Sequence, residues 1–369
     1  MKRQLVLVGA GHAHAQVLKD WAAAPVPGVA LTVVSPSTMA PYSGMVPGWL
    51  AGTYSYAEIC IDFATLARAA GARWVDGEVV DINAEQRSLR LGNGSTLGFD
   101  VLSLNVGSTL MPPQGLAAQV LSLRPLGRLQ QAWDELIAQQ RDASQTPVHQ
   151  ITAVGGGAAG FESLLAVLAR LRKLKPDRQI SGRLVTRGAL LPGVAPGAVR
   201  AAHAALQRAD VEVHTDTDFD AASTRADELL LWATGAQAHA WQRDTDLAIS
   251  ERGFFSVQPS LQVTGHRHVF AVGDCAAWAQ PLPKAGVFAV RMGPVLAHNL
   301  RAVLTGKAMN DYEPQRRYLA LLATADGHAI AARGGWSLHG QVLGRLLWRW
   351  KDHIDRGFLK RFEALEVRS

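Results

Sequence analysis

Cysteine is scarce in this sequence: its 369 residues include only Cys60 and Cys275. The two lie far apart and form neither a CxxC nor a CxxxxC motif. This excludes a zinc ribbon, a local redox dithiol and a disulfide-stapled secreted fold. Charged residues are also few, at 18% against 48% apolar residues. That balance excludes a largely disordered chain and predicts sizeable hydrophobic cores.

Long apolar runs are missing as well, since none reaches the roughly 18 residues of a membrane span. His12 and His14 interrupt the apolar start of the chain. We therefore interpret it as the first β-strand of a cytoplasmic protein rather than as a signal peptide. The net charge of +6 favours anionic cofactors or anionic lipid. Neither a metal site nor a nucleic-acid partner is expected, because no motif for either is present.

Glycine, in contrast, is abundant, with 35 residues, and two glycine turns stand out. One contains Gly9 and Gly11, and the other contains Gly155, Gly157 and Gly160. Each follows a predicted strand and opens a predicted helix. Glycine permits the tight turn and lets a pyrophosphate approach the backbone at a helix N-terminus. One such turn alone can serve packing only, but two in β-α-β context predict two dinucleotide-binding sites.

Both turns depart from the usual dinucleotide-binding pattern. His14 stands where the third small residue of the first turn is expected. The acidic residue that would bind a ribose hydroxyl is missing after both turns. Ser35 takes that place in the first unit and offers a hydroxyl, whereas Thr186 or Arg187 takes it in the second. Arg187 suits a 2′-phosphate, which makes NADPH as acceptable as NADH, or it is a solvated surface residue.

A third signature lies in the stretch 269–276, which contains Gly273 and Asp274 and follows Thr234 and Gly235. This stretch resembles the second FAD motif of the pyridine nucleotide–disulfide oxidoreductase superfamily. The resemblance implies that Asp274 accepts a hydrogen bond from a ribityl hydroxyl of FAD. The alternative is an ordinary turn aspartate at a strand end.

The resemblance covers the whole chain and implies an α/β fold with two Rossmann-like domains, which bind FAD and NAD(P)H. The second domain is inserted in the first. Residues 1–115 and 245–315 are expected to bind FAD, and residues 116–244 are expected to bind NAD(P)H. Residues 316–369 are expected to form a C-terminal hairpin and an amphipathic helix.

Within the superfamily, the chain is similar to the type II NADH dehydrogenase branch. The stretches 11–14, 41–48 and 283–291 are most similar to a subgroup found alone or fused to selenophosphate synthetase. The FAD-binding residues that the resemblance implies are Gly9, Gly11, His12, Ala13, Ser35, Ser43, Gly44, Met45, Val79, Gly107, Gly273, Asp274, Lys284 and Ala285. The implied NAD(P)H-binding residues are Gly155, Gly157, Ala158, Ala159, Gly160, Arg187, Thr234 and Gly235.

Two residues are candidates for catalysis. Glu162 matches the position at which the family's glutamate approaches the nicotinamide, unless it only supplies a favourable charge to the first turn of a helix. Lys284 is expected near the pyrimidine edge of the flavin, where a cation stabilises negative charge, unless it is a surface lysine.

The missing cysteine pair excludes disulfide reductase and sulfide:quinone chemistry. Direct flavin chemistry remains: a hydride passes from NAD(P)H to FAD, and a quinone-like or other diffusible acceptor takes the electrons. Gly286 and Val290 replace the glutamines of type II NADH dehydrogenases, which weakens the case for quinone. Tyr42, Met45 and Phe288 either line an acceptor pocket or belong to the core. The alternative function is a flavin- and nucleotide-binding sensor with little turnover.

The tail carries an apolar stripe with basic residues on the other side. Its members are Leu343, Leu347, Trp350, Ile354, Phe358, Phe362 and Leu365. A basic amphipathic helix of this kind lies on an anionic membrane surface, packs on the flavin domain or forms a homodimer seam. The first option would make the protein peripheral on the cytoplasmic membrane face. Gly357 is a potential break in this helix.

Overall fold

The computed structural model describes residues 2–142, 144–315 and 317–363. Its α-helices are α1 (His12–Ala23), α2 (Val46–Leu50), α3 (Phe63–Ala69), α4 (Leu126–Arg141), α5 (Ala158–Leu174), α6 (Pro196–Arg208), α7 (Gly286–Thr305) and α8 (Gln341–Glu363). Its strands are β1 (Arg3–Val8), β2 (Val29–Ser35), β3 (Met39–Pro41), β4 (Cys60–Asp62), β5 (Arg73–Asp76), β6 (Val79–Asn83), β7 (Ser88–Leu91), β8 (Thr96–Gly98), β9 (Val101–Leu104), β10 (Gln119–Ser122), β11 (Gln150–Val154), β12 (Ser181–Val185), β13 (Val211–His214), β14 (Glu228–Trp232), β15 (Phe255–Ser256), β16 (Val269–Ala271), β17 (Ala276–Ala277), β18 (Ala320–Ala323), β19 (Ala329–Arg333) and β20 (Trp336–Leu338).

The first parallel sheet has the strand order β16-β9-β1-β2-β5. Its central strand β1 is apolar on both faces, as expected for a covered parallel strand. Leu5 and Leu7 belong to the cluster that includes α1 and α7, whereas Val6 and Val8 pack with the antiparallel sheet β6-β7-β8. The last strand, β16, pairs in parallel with β9, so a late segment of the chain completes this sheet.

The second parallel sheet has the strand order β10-β14-β11-β12-β13. All five strands come from one continuous part of the chain, residues 119–232. Its core is strongly apolar: Leu229 and Leu231 on β14 and Phe161 on α5 are fully buried. The fold is therefore α/β with two Rossmann-like layers, which confirms the predicted class. The limits of the domains, at 115/116, 244/245 and 315/316, stay a prediction.

Helices α1 and α7 pack closely over the first sheet. Gly293 on α7 makes this approach possible, because a Cβ atom there would lie 2.9 Å from the Cβ of Gln16. Helix α7 begins at Gly286, so Lys284 precedes the helix rather than opening it.

The C-terminal part forms the antiparallel sheet β18-β19-β20 and the long helix α8. Asp326 and Gly327 lie in the turn between β18 and β19, which confirms the predicted hairpin. Helix α8 is continuous through Gly357, so the anticipated break is absent. The predicted apolar stripe divides: Leu347, Phe358 and Phe362 are buried and Leu343 is half-buried, whereas Trp350 and Ile354 are exposed. Leu365 lies outside the described residues.

No helix in the described ranges is both long enough and apolar enough to cross a membrane.

Candidate functional site

The two parallel sheets present the carboxyl ends of their central strands to one large cavity of about 2000 Å³. Open parallel sheets bind ligands at this edge. The volume exceeds the roughly 300–1,000 Å³ of a pocket for one drug-sized ligand. The cavity therefore has room for two large ligands side by side.

The first glycine turn is held against Asn105, which follows β9. A Cβ atom on Gly9 would lie 2.5 Å from the main-chain oxygen of Asn105, and one on Gly11 would lie 2.1 Å from its Oδ1. That Oδ1 accepts a hydrogen bond from the Ala13 N–H at 3.2 Å. The Asn105 side chain also donates to the Val272 oxygen at 3.1 Å. Only glycine fits this turn, which leaves the backbone open towards the cavity.

His14 explains why the third small residue of this turn is missing. Its Nδ1 lies 2.7 Å from the oxygen of Gly9, and its Nε2 lies 2.9 Å from Oγ of Ser103. Burial lowers the pKa of His14 to about 4. The side chain is therefore a neutral structural brace beneath the turn.

His12, at the start of α1, faces the cavity instead. Its Nε2 is buried without a hydrogen-bond partner among the described residues. Burial lowers its pKa to about 4, so the ring is neutral near pH 7. The ring of Tyr42 lies 5.5 Å away and that of Phe358 lies 6.0 Å away, centroid to centroid. An unpaired buried ring nitrogen at a glycine turn suits a ligand that supplies the missing partner.

Asp274 lies in the cavity wall directly after Gly273, whose φ of +70° favours glycine. Its carboxylate forms an ion pair with Arg124. The same guanidinium donates to Ser108 and, at 2.9 Å, to the main-chain oxygen of Lys284. Sequence reasoning missed Arg124 because no local motif surrounds it.

Lys284 lines the cavity next to this cluster. Its Nζ lies 3.9 Å from the centroid of the Phe254 ring and donates to the Ala276 oxygen. Burial lowers the pKa of Lys284 to about 8. It is therefore a half-buried cation rather than a free surface lysine.

The second glycine turn has the same tight construction. Gly155 has a φ of +124°, and a Cβ atom there would lie 2.4 Å from the Ala233 oxygen. A Cβ atom on Gly160 would lie 2.1 Å from the Gly155 oxygen, so Gly160 brings helix and strand together. Gly157 is the N-cap of α5 and offers no side-chain cap, which leaves the first backbone N–H groups for a ligand. Trp232 also lines this wall, and its indole nitrogen is buried without a hydrogen-bond partner in the part of the chain that the structure describes.

Glu162 lies in the second turn of α5, because the helix begins at Ala158; the expected first-turn position is wrong. Its carboxylate accepts a hydrogen bond from the Ala323 N–H at 2.8 Å. Burial raises the pKa of Glu162 to about 7, against the opposing effect of the Lys351 ammonium. Lys351 donates to Asp355 at 2.6 Å and to the oxygen of Gly44 at 2.6 Å. The hydrogen bond of Glu162 thus ties α5 to β18, and the charges of Lys351 and Asp355 on α8 act on its carboxylate.

Most of the predicted binding residues meet at this one cavity. Its wall includes Gly9, Gly11, His12, Ser35, Ser43, Gly44, Val79, Gly107, Asp274, Lys284, Ala285, Gly155, Gly157, Ala158, Ala159, Glu162, Arg187, Thr234 and Gly235. The wall does not include Ala13, Met45, Gly160 and Gly273. These four pack behind it: Met45 is 1% exposed, and the N–H of Gly273 lies 3.3 Å from Sδ of Met292.

The two cysteines are not arranged as a redox pair. Both thiols are free, Cys60 half-buried and Cys275 fully buried. Burial raises the pKa of each to about 11, so both stay protonated and are poor nucleophiles. Within the described ranges, no group of three or more His, Cys, Asp or Glu side chains is placed to hold a metal ion.

The model of the family described as "Pyridine nucleotide-disulphide oxidoreductase" matches residues 3–299. The chain belongs to this family. It is accordingly an oxidoreductase whose cofactors are FAD and a nicotinamide nucleotide. The structure fits both cofactors, because a Cβ atom at Gly9 or Gly155 would clash with backbone atoms packed against the turn. The cavity wall also includes His12, whose Nε2 has no hydrogen-bond partner among the described residues.

Similar members of the family include quinone reductases. The chain is 28% identical to demethylphylloquinone reductase NdbB of Synechocystis sp. over 306 residues, which are 75% of this chain and 73% of that protein. It is 22% identical to the type II NADH:quinone oxidoreductase of Staphylococcus saprophyticus over 312 residues, 76% of this chain and 77% of that protein.

Solved structures show the same fold. The sulfide:quinone oxidoreductase of Aquifex aeolicus aligns with a TM-score of 0.78 and 14% identity, over 99% of this chain and 92% of that one. The NDH2 of Plasmodium falciparum in complex with NADH aligns with a TM-score of 0.77 and 14% identity, over the whole of both chains.

Proposed function

We propose that this flavoprotein is an NAD(P)H:quinone oxidoreductase that passes electrons to a diffusible quinone without a redox disulfide. One observation carries the proposal: the cavity wall contains the titratable side chains Glu162, Lys351 and Asp355 beside apolar ones, and neither cysteine belongs to it. The names of the two relatives above support the acceptor class.

The first glycine turn, His12 and Asp274 would hold FAD. The N–H groups of Gly9 and Ala13 are already bonded to Val34 and Asn105, so the other N–H groups of the turn and the Nε2 of His12 would bind its phosphates. Asp274 would accept from its ribityl chain once Arg124 makes room. When bound, FAD takes a hydride from NAD(P)H and delivers two electrons to the acceptor. Lys284 places a positive charge at the same wall and stabilises negative charge that develops there.

The second glycine turn would hold NAD(P)H. Gly157 and the N-terminal residues of α5 would bind the pyrophosphate through their backbone N–H groups. Gly155, whose own N–H donates to the Val185 oxygen at 2.8 Å, would make the tight turn possible. Thr234 and Gly235 follow β14 and line the same cavity as the ends of the first sheet. The nicotinamide ring would therefore lie between the two sheets.

The acceptor would occupy the end of the cavity near α8. Its wall there includes Tyr42, Tyr318, Leu321 and Ile354, a mostly apolar set that suits a quinone ring. The two other residues suggested for the acceptor pocket, Met45 and Phe288, are both buried outside this wall.

The Glu162–Lys351–Asp355 cluster would supply the proton that the reaction needs. Reduction of one quinone by one NAD(P)H consumes one further proton. Glu162 holds a proton near neutral pH because burial raises its pKa to about 7. Lys351 and Asp355 act on this carboxyl through their charges: Lys351 lowers its pKa and Asp355 raises it.

The absence of a glutamine at position 286 is consistent with this placement. A Cβ atom at Gly286 would lie 2.5 Å from Oγ of Ser43, so a side chain there would displace that hydroxyl.

The exposed face of α8 would bind an anionic membrane surface, which makes the protein peripheral on the cytoplasmic face. Val342, Leu346 and Trp350 are 78%, 53% and 45% exposed. Arg345 and Arg349 are exposed on the same stretch. Ile354 continues this face and also lines the cavity, so a quinone dissolved in the membrane has an apolar entrance.

Anaerobic mixing tests the proposal. NADH or NADPH should bleach the flavin absorbance of the purified holoprotein, and a short-chain quinone should then restore it. Bound flavin that neither nucleotide bleaches would instead support the sensor function. Bleaching without recovery by quinone would overturn the choice of acceptor.

A further inference from the structure

The second nucleotide unit lacks an acidic residue at the end of β12, where dinucleotide-binding folds usually read the adenine-side ribose. Thr186 and Arg187 occupy that place. In this sheet β12 lies between β11 and β13, so the segment that follows β13 is the neighbouring source of side chains.

That segment is fixed beside the end of β12 by two main-chain hydrogen bonds. The N–H of Thr186 donates to the oxygen of His214 at 2.9 Å, and the N–H of Thr217 donates to the oxygen of Thr186 at 3.0 Å. The next residue, Asp218, therefore reaches the same cavity wall as Arg187. Its Oδ1 lies 2.7 Å from Nε of Arg187.

We propose that Asp218 replaces the missing acidic residue and binds the hydroxyls of the adenine-side ribose of the nicotinamide nucleotide. The site would then prefer the nucleotide without a 2′-phosphate on that ribose. This inference rests on the proposed NAD(P)H site. Asp218 comes from a different strand connection than the usual acid, and the sequence spacing therefore hides it.

The exposure of the pair explains how a ligand gains access to it. Arg187 is 90% exposed and Asp218 is 78% exposed. Ion pairs between such exposed side chains are weak, so ribose hydroxyls can share the carboxylate without a large loss. Arg187 remains beside the carboxylate and orients it.

A 2′-phosphate on the nucleotide would weaken its binding at Asp218. It removes one hydroxyl donor from Asp218 and places a second negative charge beside the carboxylate. Arg187 attracts the phosphate, but it is already paired with Asp218. Neutralising Asp218 should therefore release Arg187 and shift the preference towards the phosphorylated nucleotide.

Calorimetric binding of two redox-inert probes, ADP-ribose and 2′-phospho-ADP-ribose, to the FAD-loaded protein tests the inference. The wild type should bind ADP-ribose more tightly. Asp218→Asn should weaken ADP-ribose by about tenfold and tighten the phosphorylated probe. Arg187→Ala should weaken the phosphorylated probe more than ADP-ribose.

Asp216→Asn is the matched control, because it removes the same charge two residues away and does not line the cavity. It should leave the ratio of the two affinities unchanged. An unchanged ratio in Asp218→Asn, or a wild type that prefers the phosphorylated probe, would overturn the role of Asp218 while leaving the proposed oxidoreductase intact. A wild type that binds neither probe would overturn both.

Discussion

Glu162 is the residue whose protonation matters most to the proposed reaction. It is half-buried in the cavity wall between α5 and the C-terminal part, where its carboxylate accepts from the N–H of Ala323. Burial raises its pKa to about 7, and the Lys351 ammonium opposes that rise. A carboxyl with this pKa is protonated below pH 7 and charged above it, so it can donate a proton near neutral pH.

The rate of quinone reduction should therefore fall as the pH rises through about 7. Glu162→Gln cannot donate and should lower the rate on the order of a hundredfold and remove this titration. Lys351→Met should move the midpoint to higher pH, because it removes the charge that lowers the pKa. Rates measured from pH 5 to 9 check this, with the exposed Glu135→Gln as control. A titration that persists in Glu162→Gln would assign it to another group.

The residues of the site differ in whether the sequence immediately around them predicts their role. Gly9, Gly155 and Asp274 stand in short motifs, and dinucleotide binding explains each motif. The sequence therefore predicts that these residues lie at binding sites. Asn105 and Arg124 act on those motifs from distant parts of the chain. No local pattern marks them, because their partners are chosen by the fold rather than by spacing.

Helix α8 differs along its length: its second half packs into the protein, and its first half exposes an apolar face. Phe358 and Phe362 pack into the core beside the first glycine turn, and Lys351 and Asp355 enter the buried cluster. Its first half instead leaves an apolar face exposed. The sequence shows one apolar stripe, but period alone cannot tell a packed face from a free one.

The exposed face of α8 should bind vesicles that contain anionic lipid. Replacing both Leu346 and Trp350 by Ser should reduce co-sedimentation strongly without loss of FAD, because neither side chain lines the cavity. Met309→Ser, an exposed apolar residue outside α8, is the control. Raised salt should also weaken binding, since Arg345 and Arg349 contribute. Full binding by the double variant would contradict the membrane role of this face.

Glycines near or inside helices account for two of the differences between sequence and structure. The helix after the second turn begins at Ala158, which places Glu162 in its second turn rather than in the expected first turn. Glycine at the turn disguises the true start, because its low helix propensity suggests a loop. Gly357 disguises the continuity of α8 for the same reason.

At the scale of the whole molecule, the cavity exists because two similar α/β units place the carboxyl ends of their sheets against each other. The repeat of the glycine turn made this arrangement predictable. The acceptor end of the cavity was not, since it is assembled from α5, α8 and the β18 region, which no motif links. The relative placement of these elements depends on packing over the full length of the chain.

Electrons would pass directly from the flavin to the acceptor, with no cysteine thiol between them. Cys60 and Cys275 are free and protonated, and neither lines the cavity. The variant that combines Cys60→Ser with Cys275→Ala removes both thiols. The two single variants show which substitution is responsible if the double variant fails to fold or to retain FAD.

The most direct measurement is the anaerobic reoxidation of NADH-bleached flavin by a short-chain quinone in this cysteine-free protein. Variants that retain FAD should recover their flavin absorbance at the wild-type rate. A variant that NADH still bleaches but quinone no longer reoxidises would show that a cysteine carries the electrons, and would contradict the account.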